Sequence, residues 1–326
     1  MDKVKIAVVG VGHLGSRHAR IYSEMPDVEL VGVVDADYPR AQEVAAACRT
    51  QAVKSLDQLP DAVEGVSVVV PTRQHFSVAH KLLNRGFHLM VEKPFTETVR
   101  QARLLLRHAE RGGILVQVGH VERFNPAVLV LEKILAEPRF IECQRQAPFQ
   151  PRGTDVGVVL DLMIHDLDII LHLVASEVES LSALGAAILT DHEDIATARI
   201  VFKNGCVANV SASRVSPERM RKIRIFQDDA YISLDYMAQQ IKVARKEGGA
   251  IVSENIPVSP GEPLRLELRS FVESVKLGGI PQVPAEHGLE ALKVAMEITE
   301  EVGKCRRRLS ELQAKAREER EEILGE

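Results

Sequence analysis

The chain has 326 residues, of which 45% are hydrophobic and 27% are charged, and its formal net charge is −5 at pH 7. This composition is typical of a globular protein of about two domains with a substantial core. The balance of 41 basic against 46 acidic residues gives no electrostatic reason to expect a nucleic acid or a membrane surface as a partner.

No apolar run in the sequence approaches the ~20 residues that a membrane-spanning helix needs. The N-terminal stretch MDKVKIAVVG enters a strand pattern at once and lacks the layout of a signal peptide. The cysteines are isolated and show no CxxC spacing, so we expect free thiols and neither a disulfide framework nor a metal site at Cys48, Cys143, Cys206 and Cys305. These features together predict a soluble protein of the reducing cytoplasm.

The first third of the chain alternates short apolar strands with helical patterns. The predicted strands are residues 4–9, 28–35, 66–70, 88–92 and 114–119, and the helices between them are 13–24, 39–48, 76–85 and 97–111. Strands that are apolar on both faces and separated by helices indicate a parallel sheet covered on both sides. We therefore predict an α/β protein whose residues 1–121 form a doubly wound, Rossmann-type domain.

From about residue 120 the rhythm changes to longer strands with alternating polarity. A helix begins near Pro126, and the predicted strands are residues 140–146, 178–188, 196–203, 207–214, 222–227 and 231–235, with a helix at 158–170. Helices at 262–276 and from 286 into a charged tail close the chain. This pattern predicts a second α/β domain over residues 122–326, built on a large, open and mostly antiparallel sheet.

The first strand–helix junction reads GVGHLG, which places Gly10, Gly12 and Gly15 in GxGxxG register around His13 and Leu14. The motif follows a strand and opens a helix, as a dinucleotide-binding fingerprint requires. The glycines permit the tight turn, the approach of a pyrophosphate and close helix–strand packing, while the helix N-terminus attracts phosphate. We expect this turn to bind a dinucleotide.

Asp35 ends the second strand, about 20 residues after the glycine motif, where a carboxylate accepts hydrogen bonds from the adenosine ribose. A 2′-phosphate would be repelled there, and Asp37 adds a second negative charge nearby. Arg40 is the one nearby group that could instead attract a phosphate. The sequence therefore predicts NAD rather than NADP.

Two later strands end in polar motifs: Thr72 and His75 in PTRQH, and Glu92 and Lys93 in EKP. Ligands of open α/β sheets bind outside the carboxyl ends of the strands. We therefore predict that these four residues lie at the cofactor crevice.

The helical segment VVLDLMIHDLDII is mostly aliphatic, yet Asp161, His165 and Asp168 fall within about 60° of one another on a helical wheel. A carboxylate is costly to bury unless it is paired or used. The stripe therefore raises the possibility of a catalytic helix.

The motifs GxGxxG, PTxxH, EKP, VGHVERFNP and DLxIHDLD, in this order, resemble the Gfo/Idh/MocA family of NAD(P)-dependent sugar and polyol oxidoreductases. The resemblance implies an open C-terminal sheet that packs against another subunit, and hence a homodimer or homotetramer. It also implies that Lys93, Asp161 and His165 carry the chemistry.

In that family the segment GHVERFNP lines the active site, which makes His120, Arg123 and Asn125 further candidates. An interdomain salt bridge explains Arg123 equally well.

Oxidation of a secondary alcohol requires a proton acceptor, and His165, with an ordinary pKa near ~6.5, suits that role at neutral pH. Asp161 would orient the imidazole or share the proton transfer. Lys93 would stabilise the developing alkoxide. Asp168 is interpreted as structural.

The block from Arg145 to Ile170 resembles a branch of the family that acts on nucleotide sugars, the UDP-N-acetylglucosamine 3-dehydrogenases of lipid A synthesis, whose product goes to an aminotransferase. A diphosphate would need cations, and Arg145 and Arg152 precede the catalytic helix. Arginines that follow a sheet strand are further candidates, although solvated surface side chains explain all of them as well: Arg214, Arg219 and Arg221.

Two alternatives remain open at this stage. A free-sugar or inositol dehydrogenase needs no diphosphate site. A non-catalytic, NAD-binding sugar sensor would share the fold without turnover, although the presence of Lys93, Asp161 and His165 argues against it.

Overall fold

The structure is a computed structural model and describes residues 3–150 and 156–324. It divides into two compact units. The first unit comprises Met1–Pro126 and Pro260–Leu292, and the second comprises Ala127–Ser259 and Lys293–Glu326. This division differs from the expected single boundary after residue 121, because a late segment of the chain packs with the N-terminal sheet.

The first unit contains a six-stranded sheet in which all neighbouring strands are parallel. Its strands are β1 (Val4–Val9), β2 (Val28–Val34), β3 (Gln51–Val53), β4 (Gly65–Val68), β5 (His88–Glu92) and β6 (Val116–Gly119), in the order β3-β2-β1-β4-β5-β6. The order reverses between β1 and β4, which is where ligands bind in open α/β sheets. The predicted Rossmann-type sheet is confirmed, with one strand, β3, that the sequence pattern did not predict.

The helices of this sheet are α1 (His13–Glu24), α2 (Tyr38–Cys48), α3 (Thr72–Leu83) and α4 (Val99–Gly112). Local capping decides where two of them begin. The Asp37 side chain accepts from the backbone N–H of Arg40 at the start of α2. Thr98 and Gln101 cap each other at the start of α4, which satisfies amides that a helix otherwise leaves without partners.

The second unit contains an eight-stranded sheet in the order β14-β13-β12-β11-β7-β10-β9-β8. Its strands are β7 (Phe140–Gln146), β8 (Val178–Ala186), β9 (Ile195–Phe202), β10 (Val207–Ser213), β11 (Met220–Phe226), β12 (Ala230–Asp235), β13 (Gln240–Glu247) and β14 (Ala250–Ile256). Only the β7–β10 pair is parallel among the described pairs. The predicted, mostly antiparallel sheet is confirmed.

The remaining helices are α5 (Pro126–Ile134), α6 (Ile164–Val174), α7 (Pro263–Leu277) and α8 (Ala285–Leu324). A π-helical turn, Val159–Met163, precedes α6, so the predicted helix at residues 158–170 is confirmed as helical but is not uniformly α. None of the described helices is both long and apolar enough to cross a membrane.

Helix α7 explains why the late segment belongs to the first unit. Leu268, Phe271 and Val272 are buried in the same core as Ile6 of β1. A Cβ on Gly65 would lie 3.0 Å from the Phe271 ring, so β4 carries glycine where the helix packs closest. Burial of these three apolar side chains stabilises the packing by about 1.5–3 kcal/mol each.

Candidate active site

The glycine turn after β1 forms as the motif predicts. A Cβ on Gly15 would lie 1.8 Å from the carbonyl oxygen of Gly10, and Gly10 itself has φ 86°. Gly12 differs, because no other heavy atom of the described part of the chain, apart from its immediate neighbours in sequence, lies within 4 Å of the position of its Cβ. Two glycines are therefore required by the protein's own packing, whereas Gly12 keeps open space beside the N-terminus of α1, whose amides attract anions.

Asp35 is held beside this turn by backbone amides. Its Oδ2 accepts from the N–H of Val11 at 2.7 Å, and its Oδ1 accepts from the N–H of Asp37 at 2.9 Å. The Nε of Arg40 donates to the carbonyl oxygen of Val11 at 2.7 Å. The carboxylate and the guanidinium are thus both fixed on the turn.

A cleft of about 750 Å³ opens in the first unit at the carboxyl ends of β1, β2 and β4. The predicted residues Gly10, Gly12, His13 and Asp35 line it. Other residues that the sequence reasoning missed line its far side: Lys54, Asp57, Gln74 and Lys81. Lys54 and Asp57 follow the short strand β3, and Lys81 lies in the last turn of α3, without any motif. Gln74 lies within the PTRQH motif, which was the available sequence signal for it. Leu14 and Thr72 are half-buried and lie outside the lining.

His75 is buried between the ends of β4 and β5. Its Nδ1 lies 2.9 Å from the carbonyl oxygen of Pro94, and its Nε2 lies 2.9 Å from that of Val70. Burial lowers the pKa of His75, although contacts to the carbonyl oxygens of Pro94 and Val70 oppose this shift. This geometry favours a role in joining the two strand ends.

Lys93 follows β5 directly, and its side chain is half-buried among buried neighbours. The adjacent Glu92 is only 7% exposed, and its carboxylate accepts from the backbone N–H of Lys93 at 3.3 Å. Glu92 therefore points into the protein, and Lys93 is the charged group of the EKP motif that remains accessible.

The residues predicted from GHVERFNP lie together in the first unit, around a 3₁₀ turn at Val121–Phe124. His120, Arg123 and Asn125 are each at most 2% exposed, and Asn125 donates to the Glu122 carboxylate at 3.3 Å. The structure brings these three residues into one buried polar group.

In the second unit, Asp161 lies in the π-helical turn and His165 lies in the first turn of α6. Both side chains are half-exposed, whereas Asp166 and Asp168 are buried. Single π-helical turns inside α-helices are found often at functional sites. The accessible polar pair of this segment is therefore Asp161 and His165, and their catalytic role stays a prediction.

Asp166 is the carboxylate that the sequence analysis left out. Arg145 of β7 donates from Nε to Oδ2 at 2.8 Å and from its second nitrogen to Oδ1 at 2.7 Å. Both residues are 1% exposed, and the guanidinium lies over the Tyr236 ring. Because its guanidinium is already bonded to Asp166, Arg145 is better placed to hold α6 than to bind the diphosphate that the sequence analysis assigned to it. Arg152 lies outside the described residues.

Arg214 is likewise buried and paired. Its Nε donates to Asp194 at 2.8 Å, and another of its nitrogens donates to the carbonyl oxygen of Val156 at 2.8 Å, just before the π turn. Burial raises the pKa of Asp194, but amides of residues 188–190 and Arg214 outweigh burial and hold it well below its usual range. Arg219 is exposed and Arg221 is half-exposed.

Residues 4–120 match the family model for oxidoreductases with an NAD-binding Rossmann fold, and residues 99–233 match the GFO/IDH/MocA C-terminal domain. A UDP-N-acetylglucosamine 3-dehydrogenase from Acidithiobacillus ferrooxidans is 38% identical over 282 residues, which cover 84% of this chain and 90% of the relative. The chain belongs to the Gfo/Idh/MocA family.

The resemblance drawn from the motifs is thus confirmed. A scyllo-inositol 2-dehydrogenase (NAD(+)) from Bacillus subtilis is 26% identical and covers 86% of this chain and 89% of its own length. Among solved structures, the A. ferrooxidans UDP-N-acetylglucosamine 3-dehydrogenase has a TM-score of 0.89 at 36% identity, covering 93% of this chain and 98% of that one. A levoglucosan dehydrogenase in complex with NADH and levoglucosan, at 17% identity, has a TM-score of 0.85 and covers 93% of this chain and 98% of that one, which shows the shared fold.

The first unit fits NAD on its own geometry. The open space at Gly12 and the amides of α1 suit a pyrophosphate. The fixed carboxylate of Asp35 suits the ribose hydroxyls. The NAD predicted from the sequence therefore agrees with both the family and the cleft.

Proposed function

We propose that this oxidoreductase converts the 3-hydroxyl of UDP-N-acetylglucosamine into a ketone, giving a 3-keto nucleotide sugar. The main support for this substrate is the 38% identity to a UDP-N-acetylglucosamine 3-dehydrogenase over 84% of the chain. The identity to the scyllo-inositol 2-dehydrogenase is lower, at 26%. The half-exposed Asp161 and His165 carry the chemistry.

NAD, when bound, supplies the acceptor for the hydride that leaves the carbinol carbon. The chain itself must then take up the hydroxyl proton. In the proposal His165 is the proton acceptor, since an imidazole titrates near neutral pH. Asp161, in the turn before it, orients the ring or shares the proton. Lys93 hydrogen-bonds the substrate oxygen and stabilises the alkoxide charge that develops as the proton leaves.

The diphosphate of the substrate would supply binding energy far from the reacting carbon, and such remote contacts position the hydroxyl. Since Arg145 is engaged with Asp166, Arg152 remains the predicted cation among the two arginines near this helix. A free sugar lacks this contact and is expected to lose turnover as well as affinity.

The setting of the enzyme is also a proposal. A ketone is the group that an aminotransferase converts into an amine. A downstream aminotransferase of lipid A or surface amino-sugar synthesis would therefore consume the 3-keto product in the cytoplasm. A homodimer or homotetramer through the second unit's sheet is supported by one sheet face whose side chains, such as Thr197 and Arg199, remain exposed.

The test is a panel of substrates assayed for NADH formation, with an aminotransferase added to remove the keto product. UDP-N-acetylglucosamine should be oxidised, while N-acetylglucosamine and myo-inositol should be poor substrates. If a free polyol is oxidised as fast as every UDP-sugar, the inositol-type dehydrogenase is the correct reading. Binding of NAD without turnover of any substrate would instead indicate the sugar sensor.

A further inference from the structure

A buried contact between a histidine ring and a carboxylate lies next to Lys93 in the first unit. The Nε2 of His18, on α1, lies 3.2 Å from Oε1 of Glu92, the last residue of β5. His18 has no exposed surface, and Glu92 is 7% exposed. The ring and the carboxylate are in contact, although their alignment is not that of a linear hydrogen bond.

The other oxygen of Glu92 faces Lys93. Oε2 accepts from the backbone N–H of Lys93 at 3.3 Å. On the side of β6, a Cβ on Gly119 would lie 2.8 Å from this carboxyl group, so the strand passes against it. The carboxylate is therefore confined by β6, by His18 and by the backbone of Lys93.

The contact joins two parts of the unit that have different tasks. His18 lies about one and a half turns into α1, whose N-terminus forms the phosphate-binding turn. Glu92 immediately precedes Lys93. A single pair of side chains thus links the helix of the cofactor turn to the strand end that carries the proposed oxyanion-stabilising lysine.

We propose that His18 and Glu92 form a positioning pair for Lys93, an inference that rests on the proposed function. A buried carboxylate without a partner is costly and would move or become protonated. With His18 in place, Glu92 keeps its orientation and fixes the backbone from which the Lys93 side chain extends. Charge stabilisation depends on such preorganised placement.

The chain offers a matched control on the same helix. Tyr22, one turn beyond His18, is also fully buried, and its hydroxyl lies 2.9 Å from that of Ser67. Burial raises the pKa of Tyr22, so its phenol is neutral, and Tyr22→Phe removes a polar contact of α1 without removing a charge near Glu92 or the His18–Glu92 contact. It therefore reports what the loss of such a contact does to stability alone.

The experiment measures the rate at which Lys93 is acylated by acetic anhydride, as a function of pH, by mass spectrometry of its peptide. It is run on the full chain with NAD and needs no substrate. His18→Leu should change the Lys93 rate by more than about threefold and lower turnover by roughly 10- to 100-fold, the effect of a small misplacement. His18→Gln, which restores a side-chain N–H donor, should recover most of both, and Tyr22→Phe should leave both unchanged.

If His18→Leu and Tyr22→Phe lower the melting temperature alike and neither alters Lys93 labelling or turnover, the pair only stabilises the fold and the proposal is wrong. If His18→Leu fails to fold, Glu92→Gln is used in its place, because it changes the other residue of the pair and should alter Lys93 labelling and turnover in the same way. Failure of the wild type to oxidise any UDP-sugar would overturn the proposed function, whereas the labelling of Lys93 would still decide for or against the pair.

Discussion

The two units hold their acidic side chains by different means. Asp35, in the first unit, is half-exposed and accepts from the backbone amides of Val11 and Asp37. Asp166, in the second, is 1% exposed and is held by two nitrogens of Arg145, which stands on a different element. Backbone amides thus fix the carboxylate that we propose binds the ribose, and a buried side-chain pair fixes the helix that we propose carries the catalysis.

This contrast predicts different responses to substitution. Amides belong to the turn whatever its side chains are, so replacing Asp35 leaves no charge uncompensated inside the protein. Replacing one partner of a buried ion pair does leave such a charge, and the penalty is large. The first unit should therefore lose selectivity when its carboxylate is changed, and the second should lose stability.

The largest effect is expected from Arg145→Met. Asp166 would remain buried without its bidentate partner, which destabilises proteins by about 3–5 kcal/mol. Urea unfolding monitored by circular dichroism measures this loss. Arg145→Lys should be intermediate, because an ammonium keeps the charge but not the two parallel hydrogen bonds.

The double variant Arg145→Met/Asp166→Leu sharpens this prediction. With both charges removed, it should regain part of the stability lost by Arg145→Met, since apolar replacement of a buried pair is often nearly neutral. A double variant no more stable than the single one would show that packing around Tyr236, rather than the buried charge, dominates the loss.

Next in size is the effect of His165→Gln on turnover, expected at about 10²-fold because a general base is removed. His172→Gln is the control, since His172 lies on the same helix and contacts Glu132 at 3.1 Å. Its turnover should stay within about twofold of the wild type. Steady-state NADH formation gives both values, and equal losses in the two variants would contradict the role of His165.

Asp194 of the second unit should make the free energy of unfolding depend on pH. Its pKa is lower in the folded protein than in the unfolded chain, so its contribution to stability is present above the unfolded value of about 3.9 and is lost as the pH falls below it. Asp194→Asn keeps a side-chain oxygen that can accept from Arg214 and from the backbone amides, so it should cost about 1.5–3 kcal/mol at pH 7, less than the loss of a whole partner. Paired unfolding curves should show the difference from wild type shrinking below about pH 4.

Local signals predicted most of the fold. The bounds of β1, α1, β5 and β7 match the predicted residues 4–9, 13–24, 88–92 and 140–146. Each combines an apolar periodicity with a nearby turn or motif, so the information is contained within a short stretch.

Most of the features that the sequence did not predict either join residues far apart in the chain or lack buried apolar side chains. The strand β14 was not predicted, because nearly every side chain of it is exposed and no apolar stripe marks it. The strand β13 was also not predicted, although Ile241 and Val243 are buried at alternate positions and give a short strand signal. The turn between the two strands, Gly248 and Gly249 with φ 56° and 87°, was the available signal for a hairpin. The Arg145–Asp166 pair joins residues 21 positions apart through the fold, and no periodicity reveals it.

The smallest effect on stability is expected from Asp35→Ser, which tests the first unit. The amides of Val11 and Asp37 would turn to water or to the serine hydroxyl, so the unfolding free energy should change by only about 0.5 kcal/mol. The preference for NAD over NADP should narrow by about tenfold, since one charged hydrogen bond is worth at least 1.4 kcal/mol. Calorimetric titration with both dinucleotides measures it. Asp37→Ser, which keeps a capping oxygen for the N–H of Arg40, should leave the preference nearly unchanged. A wild type that binds NADP as tightly as NAD would contradict the role of Asp35 and point to Arg40, which already lies on the same turn.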